Sequence, residues 1–290
     1  MVSKRNEAPI TVACIQMEPI FGETARNVAT SVSMIEQAAA KGANLLVLPE
    51  LCNTGYVFSS RDEAFTLAEN IPDGHSSRAW IACAARLKIY LVAGITERDG
   101  ESLYNSAVII GPEGYIGRYR KVHLWGDEAL FFEPGNLGFP VFKTRIGTIG
   151  CQICYDCWFP ESFRMAALQG AEIVCVPTNW VPIPGQDASR EAMANILVMA
   201  ASHSNSIFIA AANRVGIERE QPFIGQSIIT SYTGWPVAGP ASEANAEIVV
   251  ATVNLADAKR HRNWNDFNQV LKDRRPEVYN FSTLNNASIG

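Results

Sequence analysis

The order of apolar and amphipathic segments is the feature that most constrains the fold of this chain. Residues 10–16 and 44–48 are apolar-rich runs of strand length, and residues 25–41 between them carry apolar side chains at the helical spacings of three and four. A helix-like run followed by a strand-like run recurs at 76–95, and the alternation resumes at 161–211. The pattern predicts an α/β fold in which helices pack on sheets.

The links between the predicted strands indicate sheets of mixed direction. Residues 103–110 and 115–122 are joined by the short turn 111–114, so these two strands should be antiparallel. Other strands are joined through helices, which is typical of parallel neighbours. No repeat, low-complexity tract or change of composition marks a linker, so we expect one domain over residues 1–280 and a polar tail over residues 281–290.

Composition argues against nucleic acid or an anionic membrane as the main partner. The 290 residues are 48% hydrophobic and 18% charged, and their net charge is −5, which is typical of a globular protein with a substantial core. No apolar run reaches the roughly 18 residues of a transmembrane helix, and the first residues form no apolar signal segment. We therefore expect a protein of the cytoplasm that does not enter a membrane.

Seven cysteines are present, an odd number, and most of them lie in apolar surroundings. They are Cys14, Cys52, Cys83, Cys151, Cys154, Cys157 and Cys175. In a reducing compartment such cysteines are expected to be buried, free thiols.

Three of these cysteines follow one another at intervals of three residues, which raises the possibility of a metal or redox centre. Zinc and iron–sulfur sites normally need four ligands, and the next cysteine, Cys175, lies in an apolar run of its own. A redox pair of Cys151 and Cys154 would be expected to open a helix, whereas Cys151 is still inside the predicted strand. Both interpretations are therefore disfavoured, and no metal site is expected.

Cys154 stands where the strand-like run 146–153 gives way to the helix-like run 161–169. A strand-to-helix turn exposes a side chain and directs backbone N–H groups at one point, which suits a catalytic nucleophile. A nucleophilic thiol also needs a base and a group that stabilises an oxyanion. His123 is the best placed of the four histidines but carries no local motif, and Glu50 is the other candidate base.

Glu50, Lys121 and Cys154 are each weak evidence when taken alone. A glutamate at the end of a strand is common, and residues 118–121 could be an ordinary solvated run of charge. Each of the three nevertheless ends a strand-like run, and α/β proteins place their chemistry at the carboxyl ends of strands. Together the three residues favour a site that contains a thiol, a carboxylate and an ammonium group.

Four ordered motifs resemble those of the nitrilase superfamily of carbon–nitrogen hydrolases, and the resemblance covers nearly the full length of the chain. The motifs are Leu48-Pro49-Glu50-Leu51 with Thr54-Gly55-Tyr56, Arg120-Lys121-Val122-His123-Leu124 with Phe132-Glu133-Pro134-Gly135, Ile153-Cys154-Tyr155-Asp156 with Phe159-Pro160-Glu161, and Asp273-Arg274-Arg275-Pro276-Glu277. The resemblance implies a four-layer αββα sandwich with mixed sheets. It also implies a hydrolase that needs no metal or organic cofactor and forms a homodimer or a larger homo-oligomer, usually through the helices after the nucleophile and the C-terminal region.

The same resemblance implies a role for each residue that matches a motif. Cys154 would be the nucleophile, Glu50 the general base and Lys121 the cation that stabilises the oxyanion. Glu128 matches a second glutamate beside the lysine, which would hold Lys121 and the substrate in position. The backbone N–H of Tyr155 would complete the oxyanion hole.

Four residues are candidates for binding the substrate: Tyr56, Tyr155, Asn179 and Trp180. For the wall residues Tyr56, Asn179 and Trp180, ordinary packing of loops is the competing explanation.

Comparison with the branches of the superfamily favours a small carboxamide as the substrate. True nitrilases tend to have glutamate at the position of Asp156, and hydrolases of N-carbamoyl amino acids tend to carry arginine in the stretch where Cys157 and Trp158 stand. We therefore expect an amidase that releases ammonia, with hydrolysis of an N-carbamoyl compound as the second reading and of a nitrile as the third. A non-catalytic binding protein is the alternative from another class, although no residue of the triad is missing.

Overall fold

Two six-stranded sheets form the centre of the structure, a computed structural model that describes residues 8–187 and 191–279. Fourteen strands are seen in these ranges. In chain order they are β1 (Ile10–Gln16), β2 (Leu45–Val47), β3 (Tyr90–Asp99), β4 (Ser102–Gly111), β5 (Gly114–Arg120), β6 (Val141–Lys143), β7 (Thr148–Cys151), β8 (Ile173–Pro177), β9 (Phe208–Ala212), β10 (Ile217–Glu218), β11 (Gln221–Pro222), β12 (Ile228–Thr230), β13 (Pro236–Ala238) and β14 (Glu247–Val253).

Seven α-helices lie in the described ranges, together with two short 3₁₀ helices. The α-helices are α1 (Thr24–Ala40), α2 (Arg61–Leu67), α3 (His75–Leu87), α4 (Glu128–Phe131), α5 (Pro160–Leu168), α6 (Met193–Asn205) and α7 (Ala256–Arg260). The 3₁₀ helices are Cys154–Trp158 and Pro276–Val278. The predicted polar tail, 281–290, lies outside the described residues.

Both large sheets mix parallel and antiparallel neighbours, as the connections predicted. The first sheet has the order β14-β1-β2-β3-β4-β5, and the second has the order β13-β12-β9-β8-β7-β6. In each sheet the three strands that are linked through helices are parallel, and the outer strands are antiparallel. Strands β10 and β11 form a separate two-stranded hairpin.

Alternating side chains of the first sheet enter two different cores. In β1, Val12 and Cys14 pack in the cluster that includes the second sheet, whereas Ala13 and Ile15 pack with Trp80 beneath helices α1 and α3. This is the period of two that an extended strand imposes. Helices α5 and α6 cover the outer face of the second sheet. The layers are therefore helix, sheet, sheet and helix, and the predicted αββα sandwich is confirmed.

Three helical segments differ from the sequence-based expectation. Helix α2 was not predicted, although Ser60 accepts a hydrogen bond from the Glu63 N–H at 3.1 Å and the Ser-x-x-Glu spacing is a signal for a helix start. The segment 124–137 was expected to be a loop, but it contains the one-turn helix α4. The helix expected over 189–202 begins at Met193 and continues to Asn205, and the start at 189 lies outside the described residues.

All seven cysteines are free and buried, which confirms the expectation drawn from their surroundings. Cys151 and Cys175 are direct neighbours on the parallel strands β7 and β8. Across the described ranges, no group of three or more histidine, cysteine, aspartate or glutamate side chains is arranged to hold a metal ion. Within the same ranges, no helix combines the length and apolar character needed to span a bilayer.

Candidate active site

Cys154 lies on a tight turn between strand β7 and helix α5. The chain leaves β7 at Cys151, enters a 3₁₀ turn at Cys154 and begins α5 at Pro160, where proline needs no helical hydrogen bond. Cys154 has φ = +47°, a left-handed conformation that few residues with a side chain adopt. Such a sharp turn presents the thiol away from both the strand and the helix.

The carboxylate of Asp156 holds this turn together. Asp156 is fully buried, and its Oδ2 accepts hydrogen bonds from the backbone N–H of Ile153 at 3.0 Å and from the hydroxyl of Tyr119 at 2.6 Å. Its Oδ1 accepts one from the backbone N–H of His123 at 3.0 Å and lies 2.7 Å from His123 Nδ1. Sequence reasoning had used Asp156 only as a motif residue and to compare substrates, because Tyr119 and His123 lie 37 and 33 residues away in the chain.

His123 is occupied by contacts that stabilise the turn. Besides its contact with Asp156, its ring stacks on Phe159 with 3.7 Å between the ring centroids. The best histidine candidate for a base is therefore held against an aspartate and an aromatic ring. The carboxylate of Glu50 is left as the candidate base.

Lys121 brings the two candidate glutamates together at its ammonium group. Its Nζ lies 2.7 Å from Oε1 of Glu50 and 2.6 Å from Oε1 of Glu128. Asn105, on β4, donates a further hydrogen bond to Glu50 Oε1 at 2.6 Å. All four residues are at least 95% buried, so one positive and two negative groups share a space with almost no water.

The surroundings of these groups shift their proton affinities. Burial raises the pKa of Glu50 to about 6, although the charge of Lys121 opposes this effect. Burial favours a neutral Lys121, but the charges of Glu128 and Glu50 outweigh it and raise the pKa of Lys121 above its ordinary value. The site thus holds an ammonium group next to a carboxylate that is ionised at neutral pH.

The thiol of Cys154, unlike Lys121 and Glu50, is uncharged at neutral pH. Burial raises its pKa above the ordinary value, the charge of Glu50 raises it further, and Lys121 only partly opposes the two. The resting group is therefore a neutral thiol. A neutral thiol needs a base to become a nucleophile, and Glu50 is the candidate base of this site.

Tyr56 contacts Glu128 rather than the wall above the thiol. Its hydroxyl donates to Oε1 of Glu128 at 2.6 Å, so that one oxygen accepts hydrogen bonds from both Tyr56 and Lys121. Oε2 of Glu128 and Oε2 of Glu50 are buried, and neither has a hydrogen-bond partner among the described residues. Two carboxylate oxygens are therefore left for groups that enter the site.

The other three predicted binding residues line a pocket over Cys154. Its wall consists of Trp125, Tyr155, Trp158, Asn179, Trp180, Val181 and Ile183. Asn179 follows β8 and donates its Nδ2 to the carbonyl of Glu50 at 2.9 Å, which ties the wall to the base. Its Oδ1 and the Nε1 of Trp180 are buried and have no partner among the described residues.

Sequence reasoning missed several residues of this site. Trp125 and Trp158 could have been suspected, because each lies within four residues of Lys121 or Cys154 in the lysine and cysteine motifs. Val181 and Ile183 follow the predicted Asn179 and Trp180 in the same loop, whereas Asn105 carries no local signal, since only the fold brings its strand to the site.

Comparison with known proteins places the chain in a family. A model of the carbon–nitrogen hydrolase family matches residues 11–263. The chain is 41% identical over 271 residues to a nitrilase from Pyrococcus abyssi, which covers 93% of this chain and 99% of the relative. It is 34% identical over 288 residues to an N-carbamoylputrescine amidase from Solanum lycopersicum, which covers 93% of each chain.

Solved structures agree with these relatives. A carbon–nitrogen hydrolase from Helicobacter pylori G27 superposes with a TM-score of 0.85 at 28% identity, over 96% of this chain and 99% of the other. A mutant amidase from Nesterenkonia sp. AN1, solved after Michael addition of acrylamide at its active-site cysteine, superposes with a TM-score of 0.76 at 25% identity, over 93% and 98% of the two chains. The chain is therefore an enzyme of the carbon–nitrogen hydrolase family and belongs to the nitrilase superfamily.

Proposed function

We propose that this enzyme hydrolyses the C–N bond of a small carboxamide through a thioester on Cys154 and releases ammonia. The observation that carries this proposal is a set of three buried acceptor atoms in the site that have no hydrogen-bond partner among the described residues: Glu50 Oε2, Glu128 Oε2 and Asn179 Oδ1. Unpaired buried acceptors are costly, so a ligand that donates to them gains affinity. A carboxamide NH₂ offers two N–H donors, whereas a nitrile offers none.

The first half of the reaction forms the thioester. Glu50 removes the proton of Cys154, and the sulfur forms a bond to the amide carbon. The oxyanion that results is stabilised by the ammonium of Lys121 and the backbone N–H of Tyr155. Glu50 then gives its proton to the amide nitrogen, the C–N bond breaks, and ammonia leaves. A carboxyl group with a pKa of about 6 can carry out both proton transfers near neutral pH.

The second half of the reaction restores the thiol. Glu50 accepts a proton from a water molecule, whose oxygen attacks the thioester carbon. The C–S bond then breaks, and the proton held by Glu50 passes to the sulfur of Cys154. The products are a carboxylic acid and the original enzyme. Each proton removed from a nucleophile is returned to a leaving group by the same carboxyl group, so the scheme requires no additional base.

The walls of the pocket favour an uncharged group next to the amide. Three tryptophans and two aliphatic side chains line it, and none of the described residues of this wall is cationic. A carboxylate next to the amide would therefore lack a partner. This supports a neutral acyl group in preference to an amino-acid carboxylate.

An N-carbamoyl compound is the second candidate substrate. Its terminal NH₂ has the same two donors as a carboxamide, and its internal N–H is a third, so the acceptors fit both classes and separate them only from nitriles. The relative from Solanum lycopersicum, an N-carbamoylputrescine amidase, is named for such a substrate. Nitrile hydrolysis is the third candidate and is supported by the name of the Pyrococcus relative.

Incubation of the purified enzyme with matched amides, N-carbamoyl compounds and nitriles tests the choice of substrate. Ammonia with a carboxylate, from the amides but not the nitriles, is the expected result. Release of CO₂ together with ammonia would identify a carbamoyl substrate instead. Turnover of nitriles alone would overturn the argument from hydrogen-bond donors.

We also propose that two copies of the chain pair through the outer face of the second sheet's helices. Met165 and Leu168 on α5 are 44% and 42% exposed, and Met193 and Ile196 on α6 are 40% and 41% exposed, which leaves apolar area for a partner to cover. Light scattering should give at least twice the mass of one chain. Replacement of Met165 and Leu168 by glutamate should give monomers.

A further inference from the structure

A buried ion pair that takes no part in the reaction scheme holds the loop of Tyr56. Arg214 Nη1 donates to Glu218 Oε2 at 2.7 Å, and the two side chains are only 1% and 5% exposed. The other oxygen of this carboxylate, Oε1, accepts hydrogen bonds from the backbone N–H groups of Tyr56 at 2.7 Å and of Val57 at 2.6 Å. A single carboxylate therefore joins the start of this loop to the hairpin of β10 and β11.

Both ends of this connection are fixed. Arg214 Nη2 donates to the carbonyl of Pro19 at 2.9 Å, and its guanidinium lies 4.1 Å from the centroid of the Phe223 ring. At the loop, Gly55 has φ = +88°, and a Cβ there would lie 2.7 Å from Oε2 of Glu218. Glycine thus permits the approach of the backbone to Glu218.

The position of this loop determines where the Tyr56 hydroxyl lies. That hydroxyl and the ammonium of Lys121 both donate to Oε1 of Glu128, at 2.6 Å each. Two donors on one oxygen orient the carboxylate and leave its Oε2 for a ligand. Removing the support of Tyr56 would allow Glu128 to turn about the Lys121 contact.

We propose that Arg214 and Glu218 form a positioning pair for recognition of the substrate's N–H groups, acting through Tyr56 on Glu128. The inference rests on the proposed function, in which Glu128 Oε2 accepts an amide N–H. Neither member of the pair touches the substrate. Their contribution comes from charge: an ionised acceptor holds backbone N–H groups about twice as strongly as a neutral one. Glu218→Gln keeps the size of the side chain and removes this charge.

The experiment compares how fast two reagents modify Cys154. Iodoacetamide carries the carboxamide that Glu128 is inferred to bind, whereas methyl methanethiosulfonate has no N–H group. The intact enzyme is modified, then digested, and the extent of modification at Cys154 is measured by mass spectrometry. The ratio of the two rate constants at Cys154 reports recognition of the amide. A general change in stability or in thiol reactivity alters both rates and leaves the ratio unchanged.

The matched control is Glu172→Gln. Glu172 is also fully buried, and its Oε2 accepts a hydrogen bond from the backbone N–H of Thr148 at 2.9 Å. Glu172 precedes β8, whereas Asn179 follows it, so the control lies at the other end of this strand. We expect the iodoacetamide rate constant divided by the methyl methanethiosulfonate rate constant to fall about tenfold in Glu218→Gln and in Tyr56→Phe, because each change costs one hydrogen bond to a charged group. The same ratio should be unchanged in Glu172→Gln. The double variant of Tyr56 and Glu218 should show no further fall, because both changes act on Glu128.

Different failures have different meanings. If iodoacetamide does not select Cys154 over the other six thiols in the unsubstituted enzyme, the proposed function fails. If Cys154 is selected and Tyr56→Phe lowers the ratio, but Glu218→Gln behaves like the control, only the positioning role is wrong. Should Glu218→Gln not fold, Arg214→Lys takes its place, and a ratio equal to that of the unsubstituted enzyme would likewise overturn the role.

Discussion

The ammonium nitrogen of Lys121 lies 2.7 Å from a carboxylate oxygen of Glu50, and both side chains are completely removed from solvent. Placing a lysine and a glutamate in such an environment is costly unless each neutralises the other. Here the pair is also joined to Glu128, so the group carries one more negative than positive charge when all three are ionised. The charges of Glu128 and Glu50 keep the proton on Lys121, and burial makes Glu50 a stronger base although the charge of Lys121 opposes this effect.

Replacing Cys154 with alanine should abolish turnover while leaving the fold intact. The loss should be at least about 1,000-fold, since no other group in the scheme can form the thioester. Ammonia release and thermal unfolding measure the two effects. Cys151→Ala and Cys157→Ala are the controls, and they should keep most of the activity. An equal loss in either control would restore the interpretation of the three cysteines as a cluster.

The activity should fall at low pH because Glu50 must be ionised to act as a base. Its pKa is raised to about 6, so its carboxylate form is lost as the pH falls through that value. We expect kcat/KM to be level above about pH 7 and to fall about tenfold per pH unit well below pH 6. The profile is measured with a neutral amide. An activity that stays level down to pH 5 would contradict the assignment of Glu50.

Replacing Lys121 with methionine should be severely destabilising as well as inactivating. Glu50 and Glu128 would remain buried without a cation, and breaking a buried pair costs about 3–5 kcal/mol in the free energy of unfolding. Without Lys121 the folded-state pKa of Glu50 rises further, because burial is no longer opposed by the ammonium, so stability is retained at low pH and lost as the pH increases. The loss in the free energy of unfolding of Lys121→Met, measured with urea, should therefore be larger at pH 8 than at pH 5.5.

The control for this loss is Lys259→Met. Lys259 also faces a buried carboxylate, since its Nζ lies 3.8 Å from Glu172 Oε1, but its side chain is 42% exposed. Water screens such a contact, and its removal should cost no more than about 1 kcal/mol. Equal deficits in the two variants would show that the charges around Lys121 are not desolvated in solution.

The turn that presents Cys154 should depend on the hydroxyl of Tyr119. That hydroxyl is buried and donates to Asp156 Oδ2, which also holds the Ile153 N–H. Tyr119→Phe should reduce the free energy of unfolding by about 1–2 kcal/mol and lower kcat, because the thiol is held less firmly. Tyr115→Phe, on the same strand and half-exposed, should change neither quantity. Unchanged kcat in Tyr119→Phe would show that the turn is stable without this contact.

The residues that end strands could be predicted from the sequence because their signal is local. Glu50, Lys121 and Cys154 each stand at the end of a strand-like run, and the resemblance to a known superfamily then put them in one site. In the structure Lys121 contacts Glu50 directly, and Asn179, which lines the pocket over Cys154, donates to the carbonyl of Glu50. The layered sheets were predictable for the same reason, since apolar periodicity is read from neighbours in the chain.

Contacts between distant segments could not be predicted in the same way. Glu218 lies 162 residues after Tyr56, and nothing in the sequence around either residue reports the contact between them. Helix α4 escaped prediction because four residues are too few to show a helical period. Asp156 was visible as part of a motif, but three of its four polar contacts are to Tyr119 on β5 and His123 in the loop after it, which only folding brings to the turn.

The burial of the cysteines has a consequence for how this enzyme is inactivated by oxidation. Six thiols lie in the cores or behind the turn, and burial raises the pKa of each, so they hold their protons and react slowly with peroxide. Burial raises the pKa of Cys154 as well, but Cys154 lines a pocket that a peroxide can enter, and the proposed base Glu50 can take its proton. Oxidative inactivation should thus be a single-hit process, in which lost activity and sulfenic acid at one residue rise together.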